Sequence, residues 1–185
     1  MIQIGSLAHV VLQTIVPQST ATGPGGVKRT AEPVAQGAKS TGVELEVVGQ
    51  PMPGWNLGLG LTTFEAEDAA GNKVNTDHAR NLVTLFTTYR FTRAIEGLVI
   101  GAGLNWQSRM YSDSTNPVTE EPQRLEQDAF SLVNLMARYE FNPQLSLQLN
   151  VENLLDESYY SQVGFFEQYR YGTPRNYSAS LNYQF

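Results

Sequence analysis

Three observations in this sequence predict an all-β fold, an antiparallel up-and-down transmembrane β-barrel segment of about seven strands. Segments of strict alternation recur, one parity of each strand segment is free of charge, and short and long connections take turns between them. A period of two places successive side chains on opposite faces of a pleat. A charge on a lipid face costs about 2–4 kcal/mol at the bilayer midplane, so a charge-free parity is what a lipid-facing wall needs. Bacterial outer-membrane barrels put short turns on the periplasmic side and long loops outside.

Residues 1–16 (MIQIGSLAHVVLQTIV) are mildly apolar and read as one weak strand. They carry no positively charged start and no clear cleavage site, so they make a poor signal peptide. Residues 17–40 are rich in Gly, Pro, Ser and Thr and read as a loop. Residues 1–40 are thus an irregular N-terminal segment, with an aberrant start as one reading, and 41–185 are the strand array. Its segments are 41–49, 55–64, 82–91, 98–109, 129–141, 144–153 and 175–185, most of them the ~9–11 residues of a tilted membrane strand. The connections 50–54, 92–97 and 142–143 are short, with Pro or Gly; 65–81, 110–128 and 154–174 are long and polar. With the C-terminus on the periplasmic side, every short turn lands there as well.

The faces decide the solvent. Val43, Leu45, Val47, Leu57, Leu59, Leu61, Val83, Leu85, Ile100, Leu104, Val133, Leu135, Leu147, Leu149 and Val151 share the charge-free parity. Glu44, Glu46, Arg90, Arg109, Arg138, Glu140 and Glu152 fall on the other, with Asn105, Gln107, Gln148 and Asn150. No segment has the 3.6-residue period of a helix that would cover a soluble sheet, so lipid is the simplest cover. Trp55, Tyr89, Phe91, Tyr139, Phe141, Tyr183 and Phe185 stand at the short-turn ends, and Trp106, Tyr111, Phe130 and Tyr177 near the long-loop ends. Two aromatic belts around an aliphatic band mark two membrane interfaces. The last strand ends on Phe185 with no polar tail, as the closing stave of a barrel would.

Other chemistry is poorly supplied. The net charge of −6 and the lack of a basic cluster argue against nucleic acid as a partner. No cysteine is present, and His9 and His78 are far apart, so neither a metal site nor a Ser-His-Asp triad is assembled and no enzyme is expected. No P-loop, nucleophile elbow or zinc-protease motif occurs. Gly58, Gly60, Gly101 and Gly103 lie on the inward parity, where small residues make room in the lumen. Glu65, Glu67, Asp68 and Asp77 lack EF-hand spacing and read as a solvated loop. Asn176-Tyr-Ser178 fits a glycosylation sequon but begins a strand. Arg138 and Glu140, two apart on the lumen face, read as a structural pair.

Several stretches are familiar as a set: 41–62 (TGVELEVVGQPMPGWNLGLGLT), 84–91 (TLFTTYRF), 97–111 (GLVIGAGLNWQSRMY), 136–160 (MARYEFNPQLSLQLNVENLLDESYY) and 171–185 (YGTPRNYSASLNYQF). They resemble the C-terminal third of TonB-dependent ferric-siderophore receptors, in the ferric-pyoverdine, coprogen and ferrioxamine branch. The most specific pieces are Asn153-Leu-Leu-Asp156-Glu-Ser-Tyr159-Tyr160, Gly172-Thr-Pro174-Arg175 and the terminal Phe185. The resemblance covers residues 36–185 and implies strand-end and turn roles for Asn153, Asp156, Tyr159, Tyr160, Pro174, Arg175 and Phe185.

The same resemblance implies a bacterial outer-membrane location, a ferric siderophore as transported ligand with no covalent cofactor, and membrane lipid as a partner. It also implies contact with the barrel assembly machinery through the C-terminal strand, and with TonB only through an N-terminal part that these residues do not match. The family's barrel encloses a plug, which seven strands cannot do, so a truncated receptor is expected. Phe165, Phe166, Tyr169 and Arg170, in the last long loop, are the candidate ligand-binding residues, because aromatic faces and a guanidinium suit bulky anionic chelates. The expected sheet is open and curved, with two unpaired edges. A small soluble ligand-binding barrel, with residues 1–16 as an eighth strand, is the second reading, and a non-functional product the third.

Overall fold

The computed structural model describes residues 4–9, 12–14, 38–93, 95–116, 118–165 and 168–185. Alternation becomes strand throughout. The long strands are β3 (Lys39–Met52), β4 (Trp55–Glu67), β5 (Asn81–Arg90), β6 (Leu98–Gln107), β9 (Phe130–Asn142), β10 (Leu145–Glu152) and β13 (Asn176–Tyr183). Two short strands, β1 (Ile4–His9) and β2 (Leu12–Thr14), both pair with β3. The order β1-β3-β4-β5-β6-β9-β10-β13 is an antiparallel meander, and the expected up-and-down topology is what forms.

Register shows why the two faces need different solvents. Val47 stands opposite Leu59, Leu59 opposite Leu85, Leu85 opposite Leu104 and Leu104 opposite Val133, an unbroken apolar row on the convex side. One residue along, Glu46, Gly60, Thr84, Asn105 and Leu132 form the neighbouring row on the other side. A slip of one residue would exchange these sets, so each strand is fixed in register by its faces. The second set lines a concavity of about 990 Å³ that includes Glu44, Glu46, Gln148, Asn150 and Glu152. The short turns are closed by Gly54 and Gly97 at φ +85° each, a left-handed conformation that glycine adopts without Cβ strain. Asn142 closes the third, its Oδ1 accepting the N–H groups of Gln144 and Leu145 at 2.9 Å each.

The sheet does not close. Among the described residues β13 pairs only with β10, and β1 lies beside β3 at the far edge. The eight-strand soluble barrel, which needs residues 1–16 beside the last strand, is therefore not the arrangement found. At the short-turn ends Tyr89–Phe91, Tyr139–Phe141 and Tyr183–Phe185 each meet edge to face, with ring centroids 4.9, 4.9 and 5.1 Å apart. Three descending strands thus carry the same aromatic step.

Two long connections contain strands that alternation did not reveal. β7 (Met110–Thr115) pairs with β8 (Pro122–Gln127), and β11 (Tyr160–Phe165) with β12 (Gln168–Tyr171). Strand β6 stops at Gln107, two residues short of expectation, because Ser108 Oγ accepts the N–H groups of Arg80 and Asn81. Arg109 consequently leaves the lumen face and bonds Glu126 at 3.2 Å. Phe130 does not join the outer belt either. It is buried, against Tyr159.

Candidate functional site

The buried apolar side chains mark where the described chain makes a core of its own. Ala66, Ala79, Met110, Phe130 and Val163 all lie at the long-loop end of the sheet or in its hairpins. Residues of the band, such as Leu149 and Leu181, are exposed. The two hairpins build this core by packing together. Val163 is 0% exposed. Beside it Gly164, at φ +82°, lies so close to Ser112 that a Cβ there would overlap the serine side chain.

Polar groups fasten the hairpins to each other. The Tyr160 N–H donates to Gln127 Oε1 at 2.7 Å, and Gln127 Nε2 donates to the Asp128 carbonyl at 2.9 Å. The Glu126 N–H donates to the Tyr169 hydroxyl at 3.0 Å. Tyr169 stacks on Tyr160, centroids 4.1 Å apart, and Tyr171 leans on the same ring at 5.0 Å. A hydrogen bond with Tyr171 raises the Tyr160 phenol above its ordinary range. On the other hairpin Arg124 grips Asp113 with two bonds, 2.6 and 2.9 Å, and lies over the Tyr111 ring at 4.1 Å. That guanidinium holds the Asp113 carboxyl below the usual carboxylate range, and is itself raised in return.

The strand-end motif organises the crossover from β10. Asn153, 4% exposed and at φ +49°, accepts the Glu157 N–H at 2.8 Å through Oδ1. Its Nδ2 donates to the carbonyls of Glu157 and Thr173 at 2.9 and 3.2 Å, and its N–H to Asn134 Oδ1 at 2.9 Å. One asparagine therefore ties β9, the crossover and the approach to β13. Asp156 accepts the Arg175 N–H at 3.0 Å and its Nη2 at 3.3 Å, while Arg175 Nη1 reaches the Leu154 carbonyl at 3.3 Å. Pro174 lines the concave face one residue before this clamp. Phe185 sits at the opposite end of the sheet, exposed beside Tyr183.

Above the concave face lies a second hollow, about 650 Å³, bordered by Phe64, Asp77, His78, Arg170 and Tyr171 among others. Of the four candidate ligand residues the structure places Arg170 here. Tyr169 is turned into the contact between hairpins, Phe165 ends β11 opposite Gln168, and Phe166 lies outside the described residues. Asp77 and His78, bonded at 3.0 Å, come to this hollow from a different loop. Sequence reasoning passed over them as site residues because nothing local signals that the 65–81 loop folds toward 159–173.

The TonB dependent receptor-like β-barrel family matches residues 12–154. Among curated relatives, the ferripyoverdine receptor of Pseudomonas aeruginosa is 35% identical over 148 residues, covering 80% of this chain and 18% of the relative. The ferric-pyoverdine BN7/BN8 receptor of Pseudomonas putida is 37% identical over 150 residues, covering 81% and 17%. The chain thus spans less than a fifth of the length of these relatives. Among solved structures, the outer-membrane ferripyoverdine receptor of Pseudomonas aeruginosa bound to ferripyoverdine superposes with a TM-score of 0.77 at 34% identity. That match covers 80% of this chain and 20% of the other.

Proposed function

Because the chain belongs to the TonB-dependent receptor β-barrel family, we propose that it forms one sector of an outer-membrane barrel that takes up ferric siderophores. Energy comes from TonB acting on the complete receptor. The observation that carries this reading is the division of one continuous sheet into two faces: a convex one whose aliphatic band carries no charge, with Lys39, Glu65 and Glu67 standing only at its long-loop end, and a concave one that carries Glu44, Glu46 and Glu152. That arrangement serves a wall between lipid and a water-filled lumen. The likeness to receptors named for ferripyoverdine supports a chelate of that class as the ligand, held by hydrogen bonds and charge rather than by a covalent link. Lipid covers the convex face, and the β13 edge with its terminal aromatic is offered to the barrel assembly machinery.

The upper hollow is where the ligand meets this sector. Arg170 brings a cation for anionic oxygens, and Phe165 and Phe166 belong to the same loop. Tyr169 acts by fixing that loop through Glu126, and Asn153, Asp156, Tyr159, Tyr160, Pro174 and Arg175 hold the frame. The test is a receptor in which residues 38–185 replace the segment they match in the Pseudomonas aeruginosa ferripyoverdine receptor. It is expressed in a strain lacking its own receptor and given radiolabelled ferripyoverdine. Restored uptake is expected, with Arg170→Ala weakening binding by about 10-fold, the loss of one charge-assisted hydrogen bond. An assembled chimera that neither binds nor imports the chelate would defeat the proposal. Tyr169→Phe separates the roles: it removes the hydroxyl that accepts the Glu126 N–H and keeps the ring.

A further inference from the structure

The upper hollow and the concave face meet at three side chains, Leu82, Tyr159 and Thr173, which border both. Only one of these is large and held on several sides. The Tyr159 ring lies on buried Phe130 with centroids 4.4 Å apart and planes 31° apart. From the side it meets Gly172 so closely that a Cβ at that position would overlap the tip of the ring. The backbone is held as well: the Gly172 N–H donates to the Tyr159 carbonyl at 2.8 Å, and the next peptide is fastened to Gln127. Thr173 is tied in turn, its carbonyl accepting from Asn153. A ring fixed in this way cannot swing aside as a flap does. It stands as a raised step between two hollows.

We propose that Tyr159 is the sill over which a ligand passes from the outer hollow to the inner wall, and that its ring helps set how bulky a chelate is admitted. This rests on the uptake reading above. A packing role alone would explain the contact with Phe130, but it would not put the same ring on the border of both hollows. Leu82, on β5, borders the same two hollows from another strand. Truncating Tyr159 should lower the sill, whereas enlarging Leu82 should narrow the passage.

The experiment uses the chimeric receptor described above, with assembly checked by heat-modifiable migration. Uptake is measured for ferripyoverdine and for a ferripyoverdine with a shortened peptide, which share the chelating groups and differ in bulk. In Tyr159→Ala the ratio of uptake rates, bulky over trimmed, should rise about tenfold, the low end of what a single contact contributes to size discrimination. In Leu82→Phe the ratio should fall, and Tyr159→Phe, which restores the ring, should restore it. Equal losses for both chelates in Tyr159→Ala would assign the ring to packing and overturn the proposal. So would a ratio unmoved in Leu82→Phe, which decides the matter where Tyr159→Ala does not assemble. If the unsubstituted chimera imports neither chelate, the uptake reading falls first and the sill with it.

Discussion

The strand wall and the hairpin cap are built from the same kind of element but stabilised by different surroundings. In the wall, from β3 to β13, the aliphatic band faces outward and is left exposed by the chain itself: Leu149 is 48% and Leu181 68% exposed. In the cap, β7–β8 and β11–β12 bury Met110 and Val163 against each other and satisfy Gln127 internally. In the proposed barrel lipid completes the wall, whereas protein completes the cap. The wall therefore tolerates changes on its polar face and is sensitive to charge on its apolar face. The cap is sensitive to volume and to single hydrogen bonds.

The largest effect should come from breaking the wall's solvent rule. Leu149→Arg places a charge on the lipid side, at a cost of about 2–4 kcal/mol near the midplane. Gln148→Arg, its neighbour on the concave side, should cost far less. Yield of heat-modifiable barrel in the outer membrane compares the two variants, and equal yields would erase the distinction between the faces. Next in size is Asn153→Ala. It leaves the Glu157 N–H and two carbonyls without their side-chain partner, at about 1–3 kcal/mol for a buried group. Its mark should be faster proteolysis within 154–175 while the barrel stays assembled.

Inside the cap, Gly164→Ala should show the sensitivity to volume. The new methyl group meets Ser112 in a left-handed backbone, and overpacking of this kind costs about 1–3 kcal/mol. Pairing it with Ser112→Gly should recover most of that loss, read as protease resistance of both hairpins together. The smallest effect is acid sensitivity at Asp113. Its carboxyl is held below the ordinary range by Arg124, so the pair's contribution is present above the unfolded aspartate range and is lost as pH falls through the lowered folded value. Cleavage at Arg124 by an acid-tolerant protease should increase in that window, and Asp113→Asn should abolish the dependence.

The same contrast explains what could be read in advance. Strands of the wall alternate because their two faces are built for different surroundings, so Leu147, Leu149 and Val151 declared themselves against Gln148 and Asn150. Strands of the cap meet each other and water. β7 reads MYSDST and β8 PQRLEQ, with Pro122 at the start and no apolar parity, so nothing in the letters separates them from loop. Arg109 followed the wall's parity only as far as Ser108, whose hydroxyl ends the ladder by accepting from Arg80 and Asn81, 28 and 27 positions away in the sequence. The Asn153-to-Tyr160 motif drew attention through resemblance, yet its meaning lies in partners such as Asn134, Thr173 and Arg175 that local pattern cannot supply.

Spin-label scanning of 147–151 on β10 reads whether one sheet divides lipid from lumen. Single cysteines in the membrane-embedded chimera carry the label, and collision with oxygen is compared with collision with a water-soluble nickel chelate. Oxygen maxima are expected at Leu147, Leu149 and Val151 and nickel maxima at Gln148 and Asn150, a period of two. Accessibility that runs smoothly along the strand, or alternates in the opposite phase, would contradict that division.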